Sequence, residues 1–237
     1  KGGRTMTYEI FGESHGPAVG VVLDKVPAGF ALDMEDIARQ MERRRAKGGI
    51  STSRIEGDVP EILSGVYQGK TTGTPLCAVI KNSNTRSEDY AKMQNLPRPS
   101  HGDYAGYVRY KGANDPRGGG HFSGRLTAPL VFAGSVARQF LREKGVEIGA
   151  HILQIGGVCD APFDPANIPE SLLRELQQEA FPVLDKAAGE AMKGEILAAA
   201  SEGDSVGGVI QCGVSGFPCG IGQPGLDCVE SVISRHM

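Results

Sequence analysis

The residues best suited to chemistry lie in one glycine-rich stretch, residues 98–125. It contains His101 and His121, four arginines and a lysine against two aspartates, although the whole chain has a net charge of −3. This local excess of cations favours an anionic ligand. Seven of the 28 residues are glycine, which lets backbone N–H groups approach an anion closely. Histidine, with an ordinary pKa of about 6.5, can also exchange protons there. The alternative is a basic surface loop without a ligand.

A second group of cations ends a predicted helix. Asp33 is a typical N-cap, and Ile37 and Met41 fall on one helical face before three consecutive arginines, residues 43–45. Cations in the last turn complement the helix dipole, which is one interpretation of this triplet. The other interpretation is that the arginines bind a carboxylate or a phosphate.

The elements that must position these residues are predicted from apolar patterns and turn residues. A helix over residues 127–144 leaves directly from the glycine-rich stretch, so its N-terminus would add partial positive charge to the site. Helices and strands alternate irregularly, which favours a single α+β domain over residues 1–237. Strands are predicted at 5–11, 19–23, 61–65, 77–80, 146–155 and 206–214, and further helices at 169–178 and 183–201. Residues 50–58 and 69–75 are predicted to be loop and turn.

Composition excludes several classes of protein. Five cysteines without a CxxC pair argue against a disulfide framework or a zinc ribbon and favour reduced thiols in the cytoplasm. No apolar run is long enough to span a membrane, and 6% aromatics with a negative net charge give no support for nucleic-acid binding. The five histidines have no spacing typical of a metal site, so we predict none. His151 is expected to be half-buried on a strand, and His236 to lie at a frayed terminus.

Three motifs nearly match known signatures, and their context argues against each. Residues 12–16 satisfy G-x-S-x-G, but Pro17 and a predicted strand follow where a nucleophilic Ser14 would need a helix. Residues 64–71 miss a phosphate-binding P-loop by one glycine, and no helix is predicted after them. Residues 220–225 match G-x-G-x-x-G, but Pro224 would lie in the turn that opens the helix. A serine hydrolase is therefore only a distant alternative.

Several motifs, in this order along the chain, resemble the chorismate synthase family: FGESHGPAVGVVLDKVPAG, RRR, ILSGVYQGKTTGTP, NTRSEDY, RPSHGDYAGY and RGGGHFSGRLTA. The resemblance implies a sandwich of helices between antiparallel sheets. It implies the anti 1,4-elimination of phosphate from 5-enolpyruvylshikimate 3-phosphate, which gives chorismate and requires reduced FMN. It also implies a homotetramer in the cytoplasm. NADPH used by the protein itself, or a separate reductase, would supply the reduced flavin.

The resemblance also assigns roles to individual residues. His15 would donate a proton to the leaving phosphate, and His101 would donate one beside the reduced flavin. The substrate's phosphate and carboxylates would be bound by Ser14, Arg44, Arg45, Ser123 and Arg125, with Arg109 and Arg117 as helpers. A turn formed by His121, Phe122 and Ser123 would contact the flavin.

The chain departs from the family pattern at several positions. His121-Phe122 stands where Arg-Ser is usual, Leu126 where glutamate is usual, and Lys25 where glycine is usual. The family's further loop arginine would correspond to Lys47 or Arg54. Family members continue for roughly half as long again, so we expect the C-terminal third, with further flavin contacts and a base, to be missing. The alternative function is therefore a non-catalytic protein that binds flavin or a phosphorylated metabolite.

Overall fold

The structure is a computed structural model that describes residues 5–46, 49–51, 56–83 and 96–237. Within these residues helices and antiparallel strands are mixed along the chain. The strands are β1 (Thr7–Gly12), β2 (Ala18–Asp24), β3 (Pro60–Ser64), β4 (Val66–Tyr67), β5 (Lys70–Thr71), β6 (Leu76–Lys81), β7 (Glu147–Ile155), β8 (Val158–Cys159) and β9 (Gly208–Ser215). The helices are α1 (Met34–Arg44), α2 (Asp103–Arg109), α3 (Thr127–Glu143), α4 (Glu170–Leu176), α5 (Lys186–Ser201) and α6 (Val229–His236). Short 3₁₀ segments occupy Arg117–Phe122 and Gly124–Leu126.

The main core lies on one face of a four-stranded antiparallel sheet with the order β1-β2-β6-β3. Val21 of β2 pairs with Ala78 of β6, so that alternate apolar residues of both strands point to the same face. Ile37 of α1 and Phe132 of α3 cover that face, and both side chains are fully buried. The same packing fixes the end of α1 and the start of α3, where the candidate binding residues lie.

A second antiparallel sheet has the order β8-β7-β9, and α4 packs against β7. Helix α3 contacts strands of both sheets, so this helix lies between them. The α+β class predicted from the sequence is confirmed. The helices predicted at 127–144 and 183–201 and the strands at 5–11, 19–23, 77–80 and 146–155 agree with the structure to within a few residues.

Other expectations need correction. Helices α2 and α6 were not predicted, and residues 69–75 are not simply a turn, because Lys70–Thr71 pairs with Val66–Tyr67 in a small hairpin. His151 is fully buried rather than half-buried. Its Nδ1 lies 3.0 Å from the carboxylate of Asp160 and its Nε2 lies 3.0 Å from Oε1 of Gln211, and hydrogen bonds to these two partners make complete burial of its polar atoms possible.

Among the described residues, no helix is long and apolar enough to cross a membrane. In the same part of the chain, no group of three or more histidine, cysteine, aspartate or glutamate side chains is arranged to hold a metal ion. The motif of residues 12–16 is a loop from β1 into β2, not a strand-to-helix turn, and its Ser14 is fully buried. Residues 64–71 form the small hairpin and no helix follows them. These geometries do not suit a nucleophile elbow or a P-loop.

Candidate active site

Two adjacent glycines, Gly118 and Gly119, each contact one of the two histidines that are predicted to be catalytic. A Cβ atom added to Gly118 would lie 2.2 Å from Nδ1 of His15, and one added to Gly119 would lie 2.8 Å from Nε2 of His101. Both glycines have left-handed backbones, with φ of 58° and 85°. Only glycine combines this backbone with such close approach, since it has no Cβ. The glycine run therefore brings His15 and His101 close to each other, although they are 86 positions apart in the sequence.

The loop that carries His15 is held against the same glycine run. The backbone N–H of Ser14 donates to the carbonyl of Gly120 at 3.0 Å. His121 closes the other side of the loop, because its Nδ1 donates to the carbonyl of Gly12 at 2.9 Å. These contacts fix the backbone that leads into His15.

His101 is oriented by charged neighbours. Its Nδ1 donates to Oδ1 of Asp103 at 2.6 Å. Arg98 donates from Nε to the other oxygen of this carboxylate at 2.8 Å, and this contact holds the pKa of Asp103 well below its ordinary value. Asp103 therefore remains ionised over the whole neutral range, and it orients the imidazole through Nδ1.

A cavity of about 420 Å³ lies beside the loop of residues 123–125 and the end of α1. Three arginines line it, and two carboxylates leave the lining with one net positive charge. This cavity brings together Arg44, Arg45, Ser123 and Arg125, four of the predicted substrate-binding residues. The other residues of the lining are Ala46, Ser51, Glu56, Asp58 and Gly124. Such a concave, cationic site is suited to a small anion.

The arginines of the cavity are held by protein acceptors. Arg44 and Arg125 each donate to a different oxygen of Asp58. Arg45 donates from Nε to the carbonyl of Glu56 at 2.9 Å. The Glu56 carboxylate in turn accepts from the backbone N–H of Ser83 at 2.8 Å and from its hydroxyl at 2.7 Å. The cations are thus ordered before any ligand binds.

Asn82 connects the cavity to the histidine loop. Its side-chain oxygen accepts from Nε of Arg125 at 2.8 Å. Its side-chain nitrogen donates to the carbonyls of Glu13 and Gly16 at 3.1 and 2.8 Å, on both sides of His15. The Asn82 side chain therefore links Arg125 of the cavity to the loop that carries His15.

Arg117 and Arg109, the two predicted helpers in substrate binding, differ in their relation to the histidines and the cavity. Arg117 donates from Nη2 to Asp115 at 2.7 Å, which lowers the pKa of Asp115, and Asp115 is close enough to His15 to interact with it electrostatically. Arg109, on α2, is exposed and lies 5.7 Å from the ring centroid of Tyr110. Among the described contacts, none joins Arg109 to the cavity or to either histidine.

Phe122 packs against the residues that follow His101. Its ring contacts Gly106 of α2 and Gly102, the residue after His101, and lies 6.2 Å from the ring of Tyr110. Both aromatic rings remain more than two-fifths exposed. They form an aromatic surface beside Gly102, the residue after His101.

Sequence reasoning missed Asp58, Asn82 and Asp103. Asp58 comes just before β3 and Asn82 directly follows β6, and such positions are usual for loop residues that carry function. Their positions next to strands were therefore visible in the sequence, but many residues without a functional role occupy such positions. Lys47, Arg54 and the motif of residues 84–90 lie outside the described residues.

The comparisons with known proteins agree with the resemblance seen in the motifs. The chorismate synthase family model matches residues 6–237. The chain belongs to the chorismate synthase family. It is 40% identical to a chorismate synthase of Thermococcus kodakarensis over 235 residues, covering 99% of this chain and 64% of the relative. It is 43% identical to one of Ralstonia nicotianae over 239 residues, covering 99% of this chain and 62% of the relative.

A crystal structure of chorismate synthase matches the fold with a TM-score of 0.72 and 28% identity, covering 94% of this chain and 62% of that one. The chain thus spans a little under two thirds of the length of the chorismate synthases it matches. The described site belongs to the part that these family members share with it.

Proposed function

We propose that the protein is a chorismate synthase, which eliminates phosphate from 5-enolpyruvylshikimate 3-phosphate with reduced FMN. The observation that carries this proposal is the meeting of His15 and His101 at the Gly118–Gly119 run, beside a cavity lined by three arginines. The reaction breaks a C–O bond to phosphate, which needs anion binding and a proton donor to the departing group. It also removes one ring proton, which needs a base. Membership of the family supports the same reaction.

The cavity residues would bind and orient the substrate. Arg44, Arg45 and Arg125 would hold its phosphate or carboxylate groups, and Ser123 would donate from its hydroxyl. A site with one net positive charge before binding favours an anion without requiring the arginines to reorganise. Ser14 would contribute through the loop that positions His15, since its hydroxyl lies against Gly118.

His15 would act as the proton donor to the departing phosphate, where negative charge develops during C–O cleavage. Asn82 and Gly120 hold the backbone of its loop, which limits the directions that the imidazole can take. Asp115, which pairs with Arg117, interacts electrostatically with His15 and would adjust the local charge. Arg109, which is exposed beside Tyr110, is given no role in this proposal.

The described residues fit a flavin beside His101. Phe122 and Tyr110 offer an exposed aromatic surface there, and His101, fixed through Nδ1 by Asp103, offers a proton donor next to that surface. His121 and Ser123 flank this turn. When bound, reduced FMN would supply electron density to the substrate without net oxidation. His101 would hold a proton against the negative charge of the reduced cofactor.

The family resemblance also leads us to propose a homotetramer in the cytoplasm. The small-molecule substrate follows from the same resemblance, and NADPH is the proposed reductant of the flavin. Size-exclusion chromatography with light scattering would test the tetramer. Reduction of FMN by the purified protein with NADPH under anaerobic conditions would test the reductant.

A phosphate-release assay tests the activity. The intact protein is mixed anaerobically with reduced FMN and 5-enolpyruvylshikimate 3-phosphate, and inorganic phosphate is measured over many turnovers. Catalytic release is expected, and omission of the flavin should abolish it. Flavin binding without release would instead favour a non-catalytic binding protein and overturn the proposal.

A further inference from the structure

Asp58 is a buried carboxylate placed between two arginines of the cavity. One of its oxygens accepts from Arg44 and the other accepts from Arg125. The Asp58 residue is only 3% exposed, and its backbone has a left-handed φ of 48°. A buried carboxylate shared by two cations keeps them together, because the two guanidinium groups would otherwise repel each other.

Arg44 and Arg125 each donate further hydrogen bonds to acceptors other than Asp58. Arg125 donates to the carbonyl of Lys81 at 3.3 Å as well as to Asn82. Arg44 donates to the hydroxyl of Thr127 at 3.2 Å and to the carbonyl of Gly124 at 3.3 Å. These partners are neutral. Asp58 is therefore the charged partner that the two arginines have in common.

We infer that Asp58 is a positioning residue that acts as an internal anion. It holds Arg44 and Arg125 side by side for the substrate, and it lowers the affinity of the cavity for free anions. This inference rests on the proposed function of the cavity as an anion site. Two carboxylates against three arginines leave one net charge, so an incoming anion meets an ordered site of moderate rather than maximal positive potential. Moderate affinity allows inorganic phosphate to leave after the reaction.

A purely structural role for Asp58 predicts something different. If the carboxylate only stabilised the fold, its removal would lower the melting temperature and leave the affinity of the folded protein for phosphate unchanged. The internal-anion role predicts that phosphate affinity increases while turnover decreases. A loss of stability alone would not make the folded protein bind phosphate more tightly, so a higher phosphate affinity together with a lower turnover distinguishes the two roles.

The test is Asp58→Asn, because asparagine tolerates a left-handed backbone better than other non-glycine residues. Binding of inorganic phosphate is measured by isothermal titration calorimetry without flavin or organic substrate. The variant should bind phosphate about tenfold or more tightly than the wild type, since one buried negative charge is gone. Its kcat should fall by about tenfold or more, since the arginines are no longer held in register. Unchanged or weaker phosphate binding would overturn the inference.

A matched control is Asp36→Asn, which removes another buried aspartate that pairs with an arginine, Arg138. Asp36 is outside the cavity lining, so this variant should lose stability and keep its phosphate affinity. If Asp58→Asn does not fold, Asp58→Gly leaves a hole of carboxylate size. Asp58→Gly should then bind inorganic phosphate about tenfold or more tightly than the wild type, and a phosphate affinity equal to that of the wild type would also overturn the inference.

The outcomes separate this inference from the proposed function. Tighter phosphate binding by Asp58→Asn, without any turnover by the wild type, would support the internal anion and reject the lyase. Catalytic turnover by the wild type, with identical phosphate affinities of both proteins, would reject the internal anion and leave the lyase.

Discussion

Arg125 shows how a binding arginine depends on residues far away in the sequence. It is 5% exposed, and its guanidinium donates to Asp58, Asn82 and the carbonyl of Lys81. A planar guanidinium can satisfy these acceptors together, whereas a lysine ammonium cannot, because its donors radiate from one atom. The geometry of this contact, and not its charge alone, should therefore matter for activity.

The variant Arg125→Lys tests this point, since it keeps the positive charge and loses the planar geometry. We expect kcat/KM for phosphate release to fall roughly 30-fold, which corresponds to about 2 kcal/mol of transition-state binding. Steady-state kinetics measure this loss. Arg235→Lys is the control, because Arg235 is exposed on α6 with one ion pair at 3.6 Å, and it should change kcat/KM less than about twofold. Near-normal kinetics of Arg125→Lys would remove Arg125 from the substrate site.

The sequence identified the cations and histidines of the site but not the residues that hold them. His15, His101 and the arginines stand out because their side chains carry charge or protons in unusual local patterns. Asp58 and Asn82 look like ordinary residues next to strands. Their contacts with Arg125 join positions 67 and 43 residues apart, and no local pattern indicates such pairs.

The glycine run is the element that joins the two halves of the site. A Cβ atom at Gly118 would lie 2.2 Å from the His15 ring, and the φ of 58° would add backbone strain. Gly118→Ala should therefore displace His15 and reduce kcat by about 100-fold or more, in line with the usual contribution of a general acid. Turnover and melting temperature should be measured on the same preparation.

Gly134→Ala is the matched control for this substitution. Gly134 lies in α3, and an added Cβ would contact nothing within 4 Å. Alanine should stabilise this helix by about 0.5–1 kcal/mol and leave turnover unchanged. If Gly118→Ala kept wild-type turnover, the close contact between the glycine run and His15 would not be needed for activity.

Apolar periodicity and end signals made α1 and α3 predictable. Asp33 caps α1, as expected, by accepting from the backbone N–H of Asp36 at 2.9 Å. Helix α2 was missed because its sequence, DYAGYVR, exposes both of its tyrosines and has no apolar face. It is stabilised instead by the ring of Phe122, which packs against Gly106. Tertiary contacts of this kind override local propensity.

At the scale of the whole molecule, a polar network joins the helices to the second sheet. Arg138 of α3 donates to Asp36 of α1 and to Gln177, which follows α4. Gln177 also donates to Glu147 at the start of β7, at 2.7 Å. Buried polar groups are stable when all of them are paired, so this network should contribute to stability as a unit.

Glu147 makes this contribution dependent on pH. Burial raises its pKa, but hydrogen bonds from Arg142, Gln177 and Arg174 outweigh burial and lower the pKa to about 2. A lowered pKa in the folded state stabilises the protein above the ordinary pKa of 4.5, and this stabilisation is lost as the pH falls towards 2. Between pH 6 and pH 3 the loss should be about 2 kcal/mol.

Urea unfolding of wild type and Glu147→Gln at both pH values measures this effect. Other carboxylates titrate equally in the two proteins, so the difference between their pH dependences isolates Glu147. The free energy of unfolding of the wild type should fall more steeply with acid than that of Glu147→Gln. Parallel curves would show that Glu147 does not have a lowered pKa.

The central claim is that His15 and His101 work in one site with different roles. The most direct measurement is the single-turnover rate of phosphate release under anaerobic conditions, with the absorption spectrum of bound reduced FMN recorded in parallel. His15→Ala should slow release by about 100-fold or more and leave the flavin spectrum unchanged. His101→Ala should slow release and also alter the flavin spectrum. Wild-type release rates in both variants, or a flavin spectrum controlled by His15 instead of His101, would contradict the account.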